Sequence, residues 1–177
     1  MRRTLNSRWL VSFFAPLSFA CIGAGANLPT LETAKDVDLS RYVGRWYEIA
    51  KYPVIFEAGC VNVTADYAIR DDGAVDVVNT CGQTSGEPRT INGFATADAD
   101  DSAKLTVYFF YPFGAPYWIL EVGGDYEYAV VGDPTRSYFW ILSRTPQLDD
   151  DTYNSILEKM PDWGYDPNRL ELMPQGV

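Results

Sequence analysis

Between residues 45 and 144 the chain is cut into eight short apolar or aromatic runs, each closed by turn residues, and none is long enough for a domain helix. The runs lie at 45–52, 61–69, 74–79, 90–97, 104–111, 117–122, 126–132 and 138–144. The second alternates cleanly, with Val61, Val63, Ala65, Tyr67 and Ile69 on one side and Asn62, Thr64 and Asp66 on the other. That is the period of a half-buried strand. Asp71-Asp72-Gly73 supplies a tight hairpin into the third run. The remaining punctuation is polar or rich in Gly and Pro: 82–88, 98–102, 112–116, 123–125 and 133–137. Evenly spaced strands with no helical pattern between them form an antiparallel up-and-down sheet.

A single helix is expected after the strands. Asp149 to Asp151 offer capping and first-turn acids, and Tyr153, Ile156, Leu157 and Met160 share one face until Pro161 ends it. Residues 169–173 form a last short strand, and residues 27–40 read as a linker. Eight strands are the number at which a sheet closes around one small ligand. The expected fold is therefore all-β, an eight-stranded antiparallel up-and-down β-barrel with one C-terminal α-helix packed outside. Closure brings the start of the first strand, Gly44-Arg45-Trp46, to the end of the last, Ser143-Arg144. There a guanidinium stacks over the indole beside a glycine that permits close approach.

The composition narrows the chemistry. No histidine is present among 177 residues, which excludes Ser-His-Asp and Cys-His catalysis and histidine-ligated metals. A net charge of -10 with no basic run leaves no footprint for nucleic acid. The candidates that remain are carboxylates such as Glu48, Asp66, Asp76 and Glu121. Asp66 and Asp76 carry outer-face parity, while Glu48 shares that of Trp46 and reads as a buried, hydrogen-bonded structural acid near tyrosines. An enzyme, a cofactor and a metal are not expected.

Residues 1–26 differ from the rest: they hold Arg2, Arg3 and Arg8 and no acid. An uncharged apolar run from Trp9 to Ile22 separates these arginines from Gly23-Ala24-Gly25-Ala26. This is the layout of a secretory signal, too short for a membrane span of about 20 residues. Two processing sites compete. Ala24-x-Ala26 suits cleavage after Ala26, whereas Leu17-Ser18-Phe19-Ala20-Cys21 loosely matches a lipobox, with cleavage before a lipidated Cys21. Of the three cysteines, Cys60 and Cys81 would pair in an oxidising compartment, leaving Cys21 for lipid. A hairpin turning at Asp72-Gly73 puts the two out of register by three to four residues. A bulge or splayed strand ends would reconcile them; two free thiols are the alternative.

Gly44-x-Trp46, Gly132-Asp133-Pro134 and Arg144 resemble, in order and spacing, the three short conserved regions of the lipocalins. The strings RYVGRWYEIA (41–50), VTADY (63–67), APYWIL (115–120) and WILSRTP (140–146) are closer still to bacterial lipocalins of the outer-membrane lipoprotein type. Relatives of these include apolipoprotein D and the plant temperature-induced lipocalins. The resemblance covers residues 36–173 and sets the lipocalin domain at 41–177. It implies an eight-stranded calyx that binds, stores or transports small hydrophobic ligands, fatty acids or (lyso)phospholipids above all. It also implies an exported protein, held at the outer membrane by a lipid anchor on Cys21 or free in the periplasm.

Strand parity then assigns the pocket. Arg144 faces the closed end in phase with Trp140 and Tyr138. The apolar faces of the other strands contribute Tyr67, Val77, Asn79, Ile91, Leu105, Val107, Phe109, Tyr117, Ile119, Ala129 and Val131. A filled barrel without ligand is the alternative; the small residues Ala65, Gly93, Ala95 and Ala129 among aromatics argue for space. At the mouth, Val54-Ile55-Phe56 and Phe110-Tyr111-Pro112-Phe113 make an apolar rim for a bilayer or partner. Arg89 and Arg136 lie at the same end as candidate contacts for an anionic head group.

Overall fold

The computed structural model describes residues 28–177. Its strands are β1 (Gly44–Lys51), β2 (Val61–Ile69), β3 (Val75–Gly82), β4 (Arg89–Ala97), β5 (Lys104–Phe110), β6 (Phe113–Val122), β7 (Tyr128–Gly132), β8 (Phe139–Ser143) and β9 (Glu171–Leu172). From β2 to β8 each strand pairs antiparallel with the next, and β1 pairs with both β8 and β2. The eight-stranded barrel is thereby closed, as the spacing of the runs predicts.

Closure is not uniform along the axis. β1 pairs with β2 only from Gly44↔Tyr67 to Tyr47↔Thr64. Beyond that point the two strands part, and the C-terminal segment fills the gap. β9 pairs with β1 at Ala50 and Lys51, the Asn62 N–H donates to the Pro174 carbonyl at 2.8 Å, and the Gln175 amide donates to the carbonyls of Glu48 and Val63. A sheet edge that would otherwise carry unpaired backbone groups is thus covered by the chain's own end.

Two apolar clusters form on opposite faces of the same sheet. Inside the barrel lie Trp46, Val75, Val77, Ala95, Leu105, Val107, Ile119, Ala129, Val131 and Leu142. Outside it, Ala50, Leu120, Val130, Phe139 and Ile141 pack under α2 (Asp150–Lys159), whose Ile156 is fully buried together with the capping Met160. α2 begins where the capping signal places it: the Asp149 carboxylate accepts from the Thr152 N–H at 2.9 Å.

Several sequence expectations are corrected. Residues 112–116, read as a turn because of two prolines and a glycine, mostly belong to β6, which starts at Phe113. β7 partners only Trp118–Val122, so the first half of β6 has a free edge, the setting in which a strand tolerates proline. Residues 27–40 are not a free linker over the described part. Leu31, Thr33 and Val37 are buried, the Ala34 N–H donates to the Ile119 carbonyl at 2.9 Å, and Ser102 donates to the Val37 carbonyl at 2.7 Å. A short helix, α1 (Leu39–Tyr42), then leads into β1. The apolar residues of this strap are too widely spaced to show a period, so only the surface they cover reveals their role. The processing region at 1–26, Cys21 included, lies outside the described residues.

Candidate ligand-binding calyx

The closed end is built around Arg144. Its guanidinium lies 3.7 Å from the Trp46 ring centroid and donates to the backbone carbonyls of Arg41, Tyr42 and Arg45 at 2.8 to 3.1 Å. The Trp46 indole N–H donates to the Tyr42 carbonyl at 2.7 Å. One cation therefore ties α1, β1 and β8 together beneath the barrel. Gly44, at φ +95°, adopts a backbone that an L side chain strains to reach, and an added Cβ would lie 3.4 Å from the guanidinium.

Above this plug, Tyr42, Tyr67 and Tyr117 form a floor. The Tyr117 hydroxyl is 2.8 Å from that of Tyr42 and 3.1 Å from that of Tyr67. Burial pushes the Tyr67 phenol up to about 12 and those of Tyr42 and Tyr117 well above their ordinary value, so all three stay neutral. A cavity of about 20 Å³ sits here, large enough for about one water, lined by Tyr67, Val77, Leu105, Val107 and Tyr117. Leu39, Tyr42, Val43, Val75 and Ala95 complete it. Leu39, Tyr42 and Val43 come from α1 and its edge, which no strand parity identifies.

Accessibility along the inner face rises toward the mouth. Ile119, Ala129 and Val131 have no accessible surface, so they support the wall and do not line open space. Parity fixes which side of a strand a residue faces but not its depth in the barrel, which is why they were grouped with the pocket. Phe109 and Trp140 are half-buried, while Ile91 and Tyr138 are 38% and 40% exposed. Ile91 pairs across the sheet with Asn79, and Tyr138 stacks on Trp140 with centroids 5.8 Å apart. Gly93 makes room for Phe109: a Cβ there would meet the phenyl ring at 2.8 Å.

The upper wall also carries charge that parity places wrongly or misses. Glu48, opposite Leu142, faces inward in phase with Trp46, and a bulge between Glu48 and Ala50 turns Lys51, opposite Trp140, inward as well. Glu48 is 4% exposed and Lys51 5%. Lys51 lies 3.4 Å from Glu171 of β9. Glu57 comes in from the turn between β1 and β2. Burial, and secondarily the neighbouring Glu57, pushes the Glu48 carboxyl well above the ordinary carboxylate range against the pull of Lys51. Burial raises Glu57 as well, opposed by Lys51 and by hydrogen bonding with Glu48 and Trp140. Glu48 is buried and hydrogen-bonded to Glu57, but its Oε1 finds no hydrogen-bond partner among the described residues. Nor do Oε2 of Glu57 and Oδ1 of Asn79.

At the mouth, Ile55 and Phe56 are 95% and 64% exposed, and Phe110, Tyr111 and Phe113 stand out on the β5–β6 turn, so the apolar rim is present. Arg136 is not a head-group contact. It is buried, with positive φ, and its guanidinium donates to the carbonyls of Trp163, Pro134 and Pro29, pinning the N-terminal strap to the segment after α2. Arg89 is exposed and points its guanidinium at the sulfurs of Cys60 and Cys81. Those two cysteines form a disulfide with Cα atoms 5.2 Å apart. A register shift in β2 between Val61 and Thr64, with Asn62 at φ +50°, takes up one residue of the mismatch, and Cys60, just before the strand, reaches Cys81 across the remainder. No group of three or more metal-binding side chains occurs among the described residues.

A closed antiparallel barrel, plugged at one end by an arginine on a tryptophan, lined inside with apolar side chains and flanked by one helix, defines a calyx protein. Residues 37–175 match the model of the lipocalin-like domain. The chain is 40% identical over 155 residues to temperature-induced lipocalin-1 of Arabidopsis thaliana, an alignment covering 82% of this chain and 83% of that one. It is 39% identical over 162 residues to the outer membrane lipoprotein Blc of Citrobacter freundii, covering 88% and 92%. Apolipoprotein D of Bos taurus is 38% identical over 128 residues, covering 67% and 66%. Among solved structures, insecticyanin from the tobacco hornworm Manduca sexta superposes with a TM-score of 0.64 at 21% identity, covering 82% and 84%, which bears on the fold alone. The chain belongs to the lipocalin-like family, whose members bind small hydrophobic ligands.

Proposed function

We propose that this protein carries an acyl-chain lipid, a fatty acid or a (lyso)phospholipid, in the upper half of the calyx. The observation that carries the reading is the gradient along the inner face. Trp46, Ile119, Ala129 and Val131 of the inner face have no accessible surface, whereas Phe109, Ile91, Tyr138 and Trp140 keep accessible apolar surface. An apolar wall with few polar groups suits a methylene chain, each methylene contributing about 0.8 kcal/mol on burial. The exposed rim residues Ile55, Phe56, Phe110, Tyr111 and Phe113 supply a surface for contact with a bilayer during loading. The reading assigns binding, storage or transport of that lipid.

The N-terminal pattern and the outer membrane lipoproteins of similar sequence support export to the bacterial cell envelope. Cys21 is then the site of lipid anchoring, or, after cleavage behind Ala26, the protein is free in the periplasm. Extraction of the purified protein with organic solvent followed by mass spectrometry should release about one lipid per chain. A fluorescent fatty acid should bind at micromolar concentration or tighter and quench the emission of Trp140. Ala115→Trp, on the same face as Val107 across the β5–β6 pair, should block that binding without unfolding the barrel. Equal affinity in this variant would place the lipid elsewhere.

A further inference from the structure

All three buried side-chain oxygens of the described residues that lack a partner belong to the calyx wall and its mouth: Glu48 Oε1, Glu57 Oε2 and Asn79 Oδ1. Glu48 is 96% removed from solvent by its 4% exposure and faces inward opposite Leu142. Asn79 lies two strands away in the same wall. In the row Trp46↔Ala65↔Asn79 the intervening strand carries only the methyl group of Ala65. Glu57 closes the same wall from the mouth turn, against Trp140 and Glu48. All three free atoms are acceptors. A buried acceptor left without a donor costs about 1 to 3 kcal/mol, and the cost is removed by a ligand that brings the missing hydrogen.

We propose that Glu48, Glu57 and Asn79 form a recognition wall inside the calyx that accepts hydrogen bonds from the glycerol hydroxyls of an acyl lipid, and that this wall favours such a lipid over the free carboxylate of a fatty acid. The inference rests on the carrier reading above and specifies the polar end of its ligand. A lipid carboxylate has two acceptor oxygens and no hydrogen at neutral pH, so it meets three acceptors and the negative charge of the carboxyl pair. The buried cation in reach is Lys51, which is already engaged by Glu171 and flanked by Glu48 and Glu57. An alcohol or glycerol unit donates one hydrogen per hydroxyl and adds no charge.

The test compares probes of one chain length on the full-length processed protein at neutral pH: palmitate and 1-monopalmitoylglycerol, both read by quenching of Trp140. The glyceride should bind at least tenfold more tightly than palmitate. In Glu57→Gln, which alters a half-buried mouth residue, and in Asn79→Leu, that ratio should fall toward one, mainly by weakening the glyceride. Both variants should retain the wild-type circular dichroism spectrum, and the Glu57→Gln measurement stands even where Asn79→Leu fails to fold. Palmitate binding as tightly as the glyceride to the wild-type protein, or a ratio unchanged in Glu57→Gln, overturns the recognition wall while leaving the carrier reading intact. Palmitate binding that is lost in Lys51→Met and exceeds that of the glyceride overturns it as well. Failure of both probes to bind overturns the carrier reading itself, and this inference with it.

Discussion

Removing the Trp46 indole tests the closed end most directly. The ring is wholly buried, sits under the Arg144 guanidinium and donates its N–H to the Tyr42 carbonyl. Trp46→Ala deletes the largest side chain of the inner cluster and leaves a void ringed by a rigid barrel, so the expected cost is about 3 to 5 kcal/mol. For a domain of this size that lowers the melting temperature by roughly 10 °C or more. Arg144→Ala removes the donor to three carbonyls of the α1–β1 segment, one of them, that of Tyr42, shielded from water, and should cost about 1 to 3 kcal/mol. The two losses overlap because the cation and the ring are in contact. A double-mutant cycle should show coupling on the order of 1 kcal/mol. Urea unfolding followed by far-ultraviolet circular dichroism measures all four corners without depending on the tryptophan signal. If both single variants lose less than about 1 kcal/mol, or if the losses add with no coupling, the arginine and tryptophan do not hold the barrel closed and the argument fails.

Three further outcomes are expected. Reduction of Cys60–Cys81, or Cys81→Ser, opens a loop spanning 21 positions and should cost about 3 kcal/mol by the chain-entropy model. Intact mass under non-reducing conditions, two hydrogens below the reduced form, checks the bond itself. The raised Glu48 and Glu57 carboxyls bind more protons in the folded state than unfolded. Their contribution is therefore intact below about pH 4.5 and is lost as pH rises through their folded values. Glu48→Gln should accordingly gain stability relative to wild type as pH increases from 4.5 to 8, and parallel melting curves across that range would refute the assignment. Arg136→Ala should cost about 2 kcal/mol and make the strap at residues 28–38 sensitive to limited proteolysis, because its guanidinium holds Pro29 against Trp163.

Much of the barrel was legible because its cause is local. The alternation at 61–69 and the Asp-Asp-Gly turn produce β2 and the hairpin that follows with little room for another pairing. Asp149, Ile156 and Met160 specify the start and the buried face of α2 in the same way. The contact between Arg144 and Trp46 could be anticipated from topology alone, since an even number of up-and-down strands returns the last to the start of the first. Tyr67, Val77, Leu105, Val107 and Tyr117 line the small inner cavity, and Ile119, Ala129 and Val131 belong to the same inner cluster with no accessible surface.

What the sequence by itself determined is therefore everything carried by period, turn chemistry and strand count: the all-β class, the order of the strands, the closing pair and the single outer helix. The tertiary structure alone decided where the periodicity breaks and what remote chain covers the breaks. A bulge after Glu48 turns Lys51 into the barrel, the C-terminal segment replaces the missing β1–β2 pairing, and residues 28–42 seal the base. Each of these depends on contacts between residues about 70 to 125 positions apart, whose energy arises only once both partners are in place. A local pattern carries no trace of such pairings, and the polar wall of Glu48, Glu57 and Asn79 is a product of them.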